Sequence, residues 1–441
     1  MKQPTGAVAV DLGATSARFA AGFVHEGELR FEMIRQVPHA PREDRGRLVW
    51  DLDALVALTR EAIDYAEAHF ERSTVGVDAW GVDHGFIDPN GELIQSPVCY
   101  RDPSHERAFE RFSAHRDDLY ALTGIQHQPF NTIYQLAARA AEDPTLPHRA
   151  RYTLLLPDLI GYLLTREPHA ELTEASTTQL LGLDDQWSPE AFALIDWPVF
   201  DLEPMRPGLL GSYVARGVRW CTVASHDTAS AVLGLEPLDD ATLFLNLGTW
   251  SLAGVVIDRP LVSDAARIAN LTNERCADGR VRLLKNVPGF WVINRLHAEL
   301  GVPTDVPTWI ARASELAVPK ARLNLDHPDL FSPESMLAAC RAQLSHDPTP
   351  AEWAAIALHS LVDALAELPQ TFADVLGRPI TRIRVGGGGS RSEALRNALA
   401  HATGRPISVG PAEATVVGNL TLQLTTQARE WNRPGIVRLT R

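Results

Sequence analysis

The sequence predicts an α/β protein built as two domains. Three observations lead there: its length, its alternation of strand-like and helix-like segments, and a glycine turn motif that occurs twice. At 441 residues the chain exceeds the size at which one hydrophobic core keeps growing, so two domains of roughly 200 residues each are expected. Buried apolar runs alternate with segments of helical spacing, the pattern of an α/β fold. Asp11-Leu12-Gly13-Ala14-Thr15-Ser16 and Asn246-Leu247-Gly248-Thr249-Trp250-Ser251 share Leu-Gly-x-x-Ser, each after one apolar strand and before another. That recurrence points to the same hairpin at the start of both domains.

The elements follow in order. AVAVDLG, beginning at Ala7, reads as a buried strand that ends at a turn, and SARFAAGF and ELRFEMIRQV continue it as an antiparallel set. From Asp51, DLDALVALTREAIDYAEAHF carries apolar residues at helical spacing behind an Asp cap, and the strand TVGVDAW returns after it. Residues 104–183 look mainly helical. CTVASHDTASAVLGL reads as strand, turn and helix start, and Pro237 with Asp239 and Asp240 forms a hinge-like connection. This divides the chain into domains at 1–236 and 237–441. In the second, ATLFLNLGTWSLAGVVI is a strand, glycine turn and strand; a long helix is expected over 351–376, then the strand RIRVGGGGS and a closing helix in ATVVGNLTLQLTTQARE.

Composition narrows the function classes. A net charge of −14 and the absence of any Lys/Arg-rich run argue against a nucleic-acid partner. Lys2, Lys285 and Lys320 are the only lysines, so any specific lysine chemistry has three candidates. The four cysteines are scattered without a CxxC pair, as in a reducing compartment. The start lacks a signal-peptide cleavage pattern and the longest apolar run, LLLPDLIGYLLT, is short and contains Asp158. The expectation is a soluble, cytoplasmic protein with no membrane partner, a monomer or homodimer.

Several clusters can carry chemistry. A hairpin turn of Gly and small hydroxyl residues offers backbone N–H groups and hydroxyls to a phosphate oxygen; equally, a tight turn simply needs Gly. The first hairpin has Asp11 where the second has neutral Asn246, so the first alone would attract a divalent cation. The run Gly386–Gly389 with Ser390 follows a strand and precedes a helix, which lets part of a nucleotide lie against bare backbone. Arg391 breaks the dinucleotide pattern GxGxxG, and no GxxxxGK[ST] occurs. Ser225-His226-Asp227-Thr228 ends an apolar strand before a helix. Asp227 there can serve as a base for a hydroxyl proton or cap the helix, and His226 alone reads as a structural histidine. Asp78-Ala79-Trp80-Gly81-Val82-Asp83-His84 suits a sugar pocket, with Trp80 either an aromatic face for the sugar or part of the core. Tyr100-Arg101-Asp102 and Lys285-Asn286 are polar clusters that also suit salt-bridged surface.

At these residues the sequence resembles the FGGY carbohydrate kinases, most closely the rhamnulokinase branch. The likeness is carried in order by AVDLGATSAR, LVWDLDAL, GVDAWGVDHGFID, YRDPS, GIQHQPFNTIYQL, LLLPDLIGYLLT, EASTTQL, ASHDTASAV, LNLGTWSLAG, NLTNE, LLKNVPGFWVINR, RVGGGGSRS and GPAEATVVGN. It implies an actin-like ATPase fold of two RNase-H-like domains around a central cleft, with the sugar and catalytic base on the N-terminal domain and the nucleotide on the C-terminal one. It also implies ATP with Mg2+, and transfer of the γ-phosphate to a primary hydroxyl of a ketose such as L-rhamnulose. Carried onto this chain, Asp227 is the catalytic base, and Gly81, His226, Thr228, Asn286 and Trp80 are on the sugar side. Ala14, Thr15, Ser16, Ala17, Arg18, Thr249, Asn294, Gly387 and Gly388 are on the ATP side, and Asp11 orients magnesium. Two positions depart from the branch pattern: Ala17 stands in place of Gly, and Asn294 in place of Gln. Other readings are a kinase for L-fuculose or a pentulose, a non-catalytic sugar or nucleotide sensor on the same fold, and an actin-like filament protein. The last two are disfavoured by the presence of Asp11, Asp227 and the sugar-side elements.

Overall fold

The computed structural model describes residues 2–248, 251–330 and 333–431. Its packing separates two compact units. One combines residues 1–234, 257–283 and 414–441; the other combines 235–256 and 284–413.

The first unit is organised by a sheet whose strands are β1 (Gln3–Leu12), β2 (Ser16–His25), β3 (Glu28–Pro38), β4 (Phe70–Ala79), β5 (Leu209–Ala215) and β6 (Val218–Thr222). Their order is β5-β6-β4-β1-β2-β3. The expected hairpin pairs β1 with β2 antiparallel, Asp11 opposite Arg18, while β1–β4 and β4–β6 are parallel. Alternation along β1 sorts its residues onto two faces. Val8, Val10 and Leu12 join Leu52, Leu55, Leu58 and Ala62 of helix α1 (Leu52–His69) in one core, and Asp51 caps that helix by accepting from the Ala54 amide. Ala7, Ala9 and Ala20 face the other way and meet Val416, Val417, Leu420 and Leu424. Small residues on that face let the helix holding those residues approach the sheet closely; a Cβ on Gly22 of β2 would stand 2.9 Å from Leu420 Cδ1.

The second unit repeats the arrangement. Its strands β7 (Thr242–Leu247), β8 (Ser251–Ile257), β9 (Val281–Val287), β10 (Arg382–Gly386) and β11 (Ile407–Val409) run in the order β9-β8-β7-β10-β11, with Thr272–Arg275 as a sixth strand beside β9; residues 281–283 of β9 and the Thr272–Arg275 strand are counted with the first unit. Here β7 and β8 form the antiparallel hairpin, and β10 lies parallel to β7 with Gly386 opposite Asn246. Strand for strand this is the topology of β3-β2-β1-β4-β6, the duplication that the repeated Leu-Gly-x-x-Ser motif predicts. The expected long helix is Pro350–Leu376, opened by a capping box between Thr349 and Glu352 and closed by Gly377 at φ +67°. Helix α2 (Asp227–Leu235) follows β6, and α3 (Ala414–Glu430) is the closing helix. No helix among the described residues is long and apolar enough to cross a membrane.

Candidate active site

In the first unit the carboxyl ends of the parallel strands β1, β4 and β6 bring three acids, Asp11, Asp78 and Asp227, together with a histidine. Ligands of open α/β sheets gather at strand ends of this kind. Asp11 and Asp78 are register partners on β1 and β4. The Ala79 amide donates to the Ser225 carbonyl at 2.8 Å, which carries the β4 end alongside His226 and Asp227. Helix α2 starts at Asp227, and the His226 carbonyl accepts from the Ala229 and Ser230 amides. Asp227 thus sits in the first helical turn. Its Oδ1 accepts from the Thr228 hydroxyl at 3.1 Å and lies 3.6 Å from His226 Nε2.

Gly81 borders the same space. A Cβ there would stand 3.0 Å from Thr177 Cγ2 and 3.2 Å from His226 Nε2, so glycine keeps the histidine's outer nitrogen uncovered. The next residue, Val82, holds φ +73°, a conformation that a β-branched residue adopts only when its surroundings enforce it. Three contacts do so: the Val82 amide donates to Thr177 Oγ1 at 3.2 Å, and its carbonyl accepts from Thr132 Oγ1 at 2.7 Å and Gln135 Nε2 at 3.3 Å.

Behind this turn Asp83 accepts from Trp50 Nε1 at 2.5 Å, Trp80 Nε1 at 2.9 Å, Gln135 Nε2 at 3.1 Å and the Tyr100 amide at 3.3 Å. The Trp80 indole is 6% exposed, lies 4.2 Å from the Trp50 ring and stacks on His39. His39 in turn donates from Nε2 to the Gly13 carbonyl at 2.6 Å, tying the first hairpin to the Trp80 cluster. Full burial raises the Asp83 carboxyl to about 6 against the pull of its four donors. The folded protein therefore keeps this proton up to about pH 6, while the unfolded chain releases it near 4. Stability that Asp83 contributes at low pH is lost as pH rises through that window. Relative to Asp83→Asn, which does not titrate, the wild type should lose on the order of 3 kcal/mol between pH 4 and pH 7. Denaturant unfolding of both proteins across that range checks this; a constant difference between them refutes it.

Asp78 is fully buried, and burial, then the neighbouring Asp11, raises its carboxyl well above the ordinary value, with Asp227 adding to the rise. Asn419 Nδ2 donates to its Oδ2 at 2.6 Å, and its Oδ1 is buried without a partner. Asp11 accepts from Arg18 Nε at 2.9 Å and Nη2 at 2.7 Å. The acids at this corner repel one another, and a hard divalent cation held by one or two carboxylates and substrate phosphates would relieve that repulsion. The donor set therefore fits magnesium in that mode. No group of three ligating side chains capable of enclosing a metal occurs among the described residues.

Of the residues singled out from the sequence, Asp11, Ala14–Arg18, Trp80, Gly81, His226, Asp227 and Thr228 all lie in the first unit. Asn286, Asn294, Gly387 and Gly388 lie in the second. There, Asn286 is half-buried on β9, Asn294 and Gly388 are exposed, and Lys285 pairs with Asp326 at 3.4 Å. Gly387 has φ +76°, and a Cβ on it would stand 2.7 Å from Asn246 Oδ1, so the glycine loop and the second hairpin meet within this unit. Thr249 lies outside the described residues.

Sequence reasoning passed over His39, Val82, Arg282 and Glu274. His39 stands in a loop with no motif, and Val82 is conspicuous only by its backbone angle. Thr177 and Glu274 sit inside EASTTQL and NLTNE, segments whose likeness was visible while their contacts were not.

The family model for the FGGY family of carbohydrate kinases, N-terminal domain, matches residues 7–210, and that for the C-terminal domain matches 243–426. A rhamnulokinase from Enterobacter sp. (strain 638) is 36% identical over 440 residues, covering 95% of this chain and 89% of the relative. One from Bacillus subtilis (strain 168) is 31% identical, covering 94% and 89%. Among solved structures, a ligand-bound xylulose kinase from Lactobacillus acidophilus superposes with a TM-score of 0.79 at 15% identity, over 98% of this chain and 90% of that one. A Plasmodium falciparum glycerol kinase with ADP gives 0.73 at 14% identity, covering 97% and 91%. These structural likenesses establish the fold, the two-domain actin-like ATPase architecture. With both domain models and relatives above 30% identity running along nearly the whole sequence, this chain belongs to the FGGY family of carbohydrate kinases.

Proposed function

We propose that this carbohydrate kinase transfers the γ-phosphate of ATP to the primary hydroxyl of L-rhamnulose, giving L-rhamnulose 1-phosphate and ADP. The observation that carries the reading is the Asp227 carboxylate at the start of α2, 3.6 Å from His226 Nε2, a ring nitrogen that Gly81 leaves uncovered. The 36% identity to a rhamnulokinase supports the choice of sugar.

In this reading Asp227 accepts the hydroxyl proton as the hydroxyl oxygen attacks the γ-phosphorus. The bond to the β–γ bridging oxygen breaks, and ADP leaves with that electron pair. His226, Gly81, Thr228 and Asn286 hold the sugar, and Trp80 supports the pocket through Asp83 and His39. The Ala14–Arg18 turn, Thr249 and Asn294 serve the phosphates, and Gly387 with Gly388 leaves bare backbone for the adenosine side. Asp11 and Asp78 are the carboxylates that would hold magnesium, whose charge stabilises the phosphoryl oxygens.

The test is ADP release with magnesium and ATP against L-rhamnulose, L-fuculose, L-ribulose, L- and D-xylulose and glycerol. L-rhamnulose should show the highest kcat/KM. A higher value for another sugar moves the enzyme to that substrate, and turnover of none of them overturns the kinase reading for this set.

A further inference from the structure

Arg282 is wholly buried in the first unit, with its side chain 0% exposed. Its Nε and Nη2 donate to Glu274 Oε2 at 3.2 and 2.8 Å, and its Nη1 donates to the Arg275 carbonyl. The same Nη2 also meets His226 Nδ1. A guanidinium has only donors and does not lose its proton in proteins. A hydrogen bond with it therefore requires a lone pair, not a hydrogen, on His226 Nδ1. The ring's proton must then be on Nε2, the nitrogen directed at Gly81 and Asp227.

We infer that Arg282, held by Glu274, is a positioning residue that locks His226 as the Nε2–H tautomer, so that the ring presents a donor to a sugar oxygen beside Asp227. The inference rests on the sugar-kinase reading for its consequence, though not for the tautomer itself.

The second nitrogen of a histidine is set by what the first one bonds to. The competing arrangement would place a proton on Nδ1 facing Glu274 Oε2, which lies 3.4 Å away. That would set an N–H against the Arg282 N–H, two donors head to head. Burial works against the charge of Glu274, yet Arg282 beside it keeps its carboxyl below the ordinary glutamate value. Glu274 thus stays an acceptor and holds the guanidinium in place.

The histidine backbone is fixed as firmly as its ring. Its amide donates to Thr173 Oγ1 at 3.1 Å, the Thr173 hydroxyl donates to Glu171 Oε2, and that same oxygen accepts from the Ser225 amide at 3.1 Å. The desolvation cost of a buried ion pair offsets much of its attraction, so this pair adds little stability over apolar packing. Here it decides which nitrogen of the ring carries the proton. An Nε2–H supplies a bond to a sugar oxygen and leaves Asp227 as the sole proton acceptor for the hydroxyl. A bare Nε2 would compete with Asp227 for that proton.

Two-bond 15N–1H NMR of the full-length, 15N-histidine-labelled protein tests this without substrate, with the His226 signal assigned from His226→Gln. The wild type should show the Nε2–H pattern. Arg282→Met combined with Glu274→Gln, which leaves no unpaired buried charge, should give a mixture of tautomers and raise the sugar KM by about tenfold, the worth of one hydrogen bond. The KM for ATP should not change, and Arg282→Lys, which keeps a donor, should restore the tautomer in part. An Nδ1–H pattern in the wild type overturns the inference, as does a double variant with wild-type tautomer and wild-type sugar KM. Should the double variant not fold, Glu274→Gln alone is read by the same spectrum: a guanidinium no longer held should admit the Nδ1–H form, and an unchanged tautomer overturns the inference. A correct tautomer with no turnover of any sugar would count against the functional reading and leave the role of Arg282 in setting the ring intact.

Discussion

Replacing Asp227 with Asn should lower kcat by roughly a thousandfold, the scale of a lost general base. The amide has nearly the same shape and can still accept from the Thr228 hydroxyl that now donates to Asp227 Oδ1. Helix α2 should therefore start as before, and the KM values for ATP and sugar should stay near wild type. What disappears is a group able to take a proton while the hydroxyl oxygen attacks phosphorus. Loss in kcat without loss in binding is the signature of an interaction made only in the transition state. Steady-state kinetics with a thermal melt as folding control makes the measurement. A variant that retains activity within about tenfold of wild type would remove Asp227 from the role of base.

The second large effect lies where nothing touches substrate. A Cβ on Gly418 of α3 would sit 1.8 Å from the Ser230 carbonyl oxygen, and one on Gly234 of α2 would sit 2.0 Å from the Ala414 carbonyl oxygen. The two helices cross with backbone against backbone. Gly418→Ala gains about 1 kcal/mol of helix propensity, but it must push α2 away, and overpacking of this kind costs about 3 kcal/mol or more. The clash wins, so the melting temperature should fall by about 5 °C or more. Because α2 begins with Asp227 and α3 carries Asn419, the Asp78 partner, the same displacement should lower kcat in the folded fraction. Calorimetry and single-turnover rates measure the two effects separately. A variant as stable as wild type would show that the helices have slack that the glycine contacts deny.

Much of this was legible from residues alone, for physical reasons that can be named. The strands β1 and β4 and the helix α1 announce themselves because burial on one face imposes a period of 2 or 3.6 on apolar residues. The Leu-Gly-x-x-Ser turns are recognisable because a hairpin carrying phosphate donors needs small residues in sequence, and so their repetition foretold two sheets of one topology. Asp11, Gly81, His226 and Asp227 stood out for a similar reason: each lies at a strand end within a short motif. For Asp227 and Trp80 the residues left two readings open, and packing supplies the detail. Asp227 enters the first helical turn with its carboxylate accepting from Thr228 and lying near His226, while the Trp80 N–H is committed to Asp83 and its ring to Trp50 and His39.

The sequence by itself thus determined the α/β class, the duplication, the family and the identity of the acid beside the histidine, because each is written in local spacing or in contiguous motifs. The tertiary structure alone decided which nitrogen of His226 faces outward, why Val82 holds a positive φ, and how Asp78 comes to sit against Asp11. It also decided that the helix over residues 414–430 packs on the first unit's sheet and belongs to that unit. These depend on pairs such as Asn419 with Asp78 and Arg282 with His226, separated by 341 and 56 residues. Neither partner's local pattern changes with the identity of the other, so only the folded chain, where burial makes each unpaired polar group costly, reveals which ones must meet.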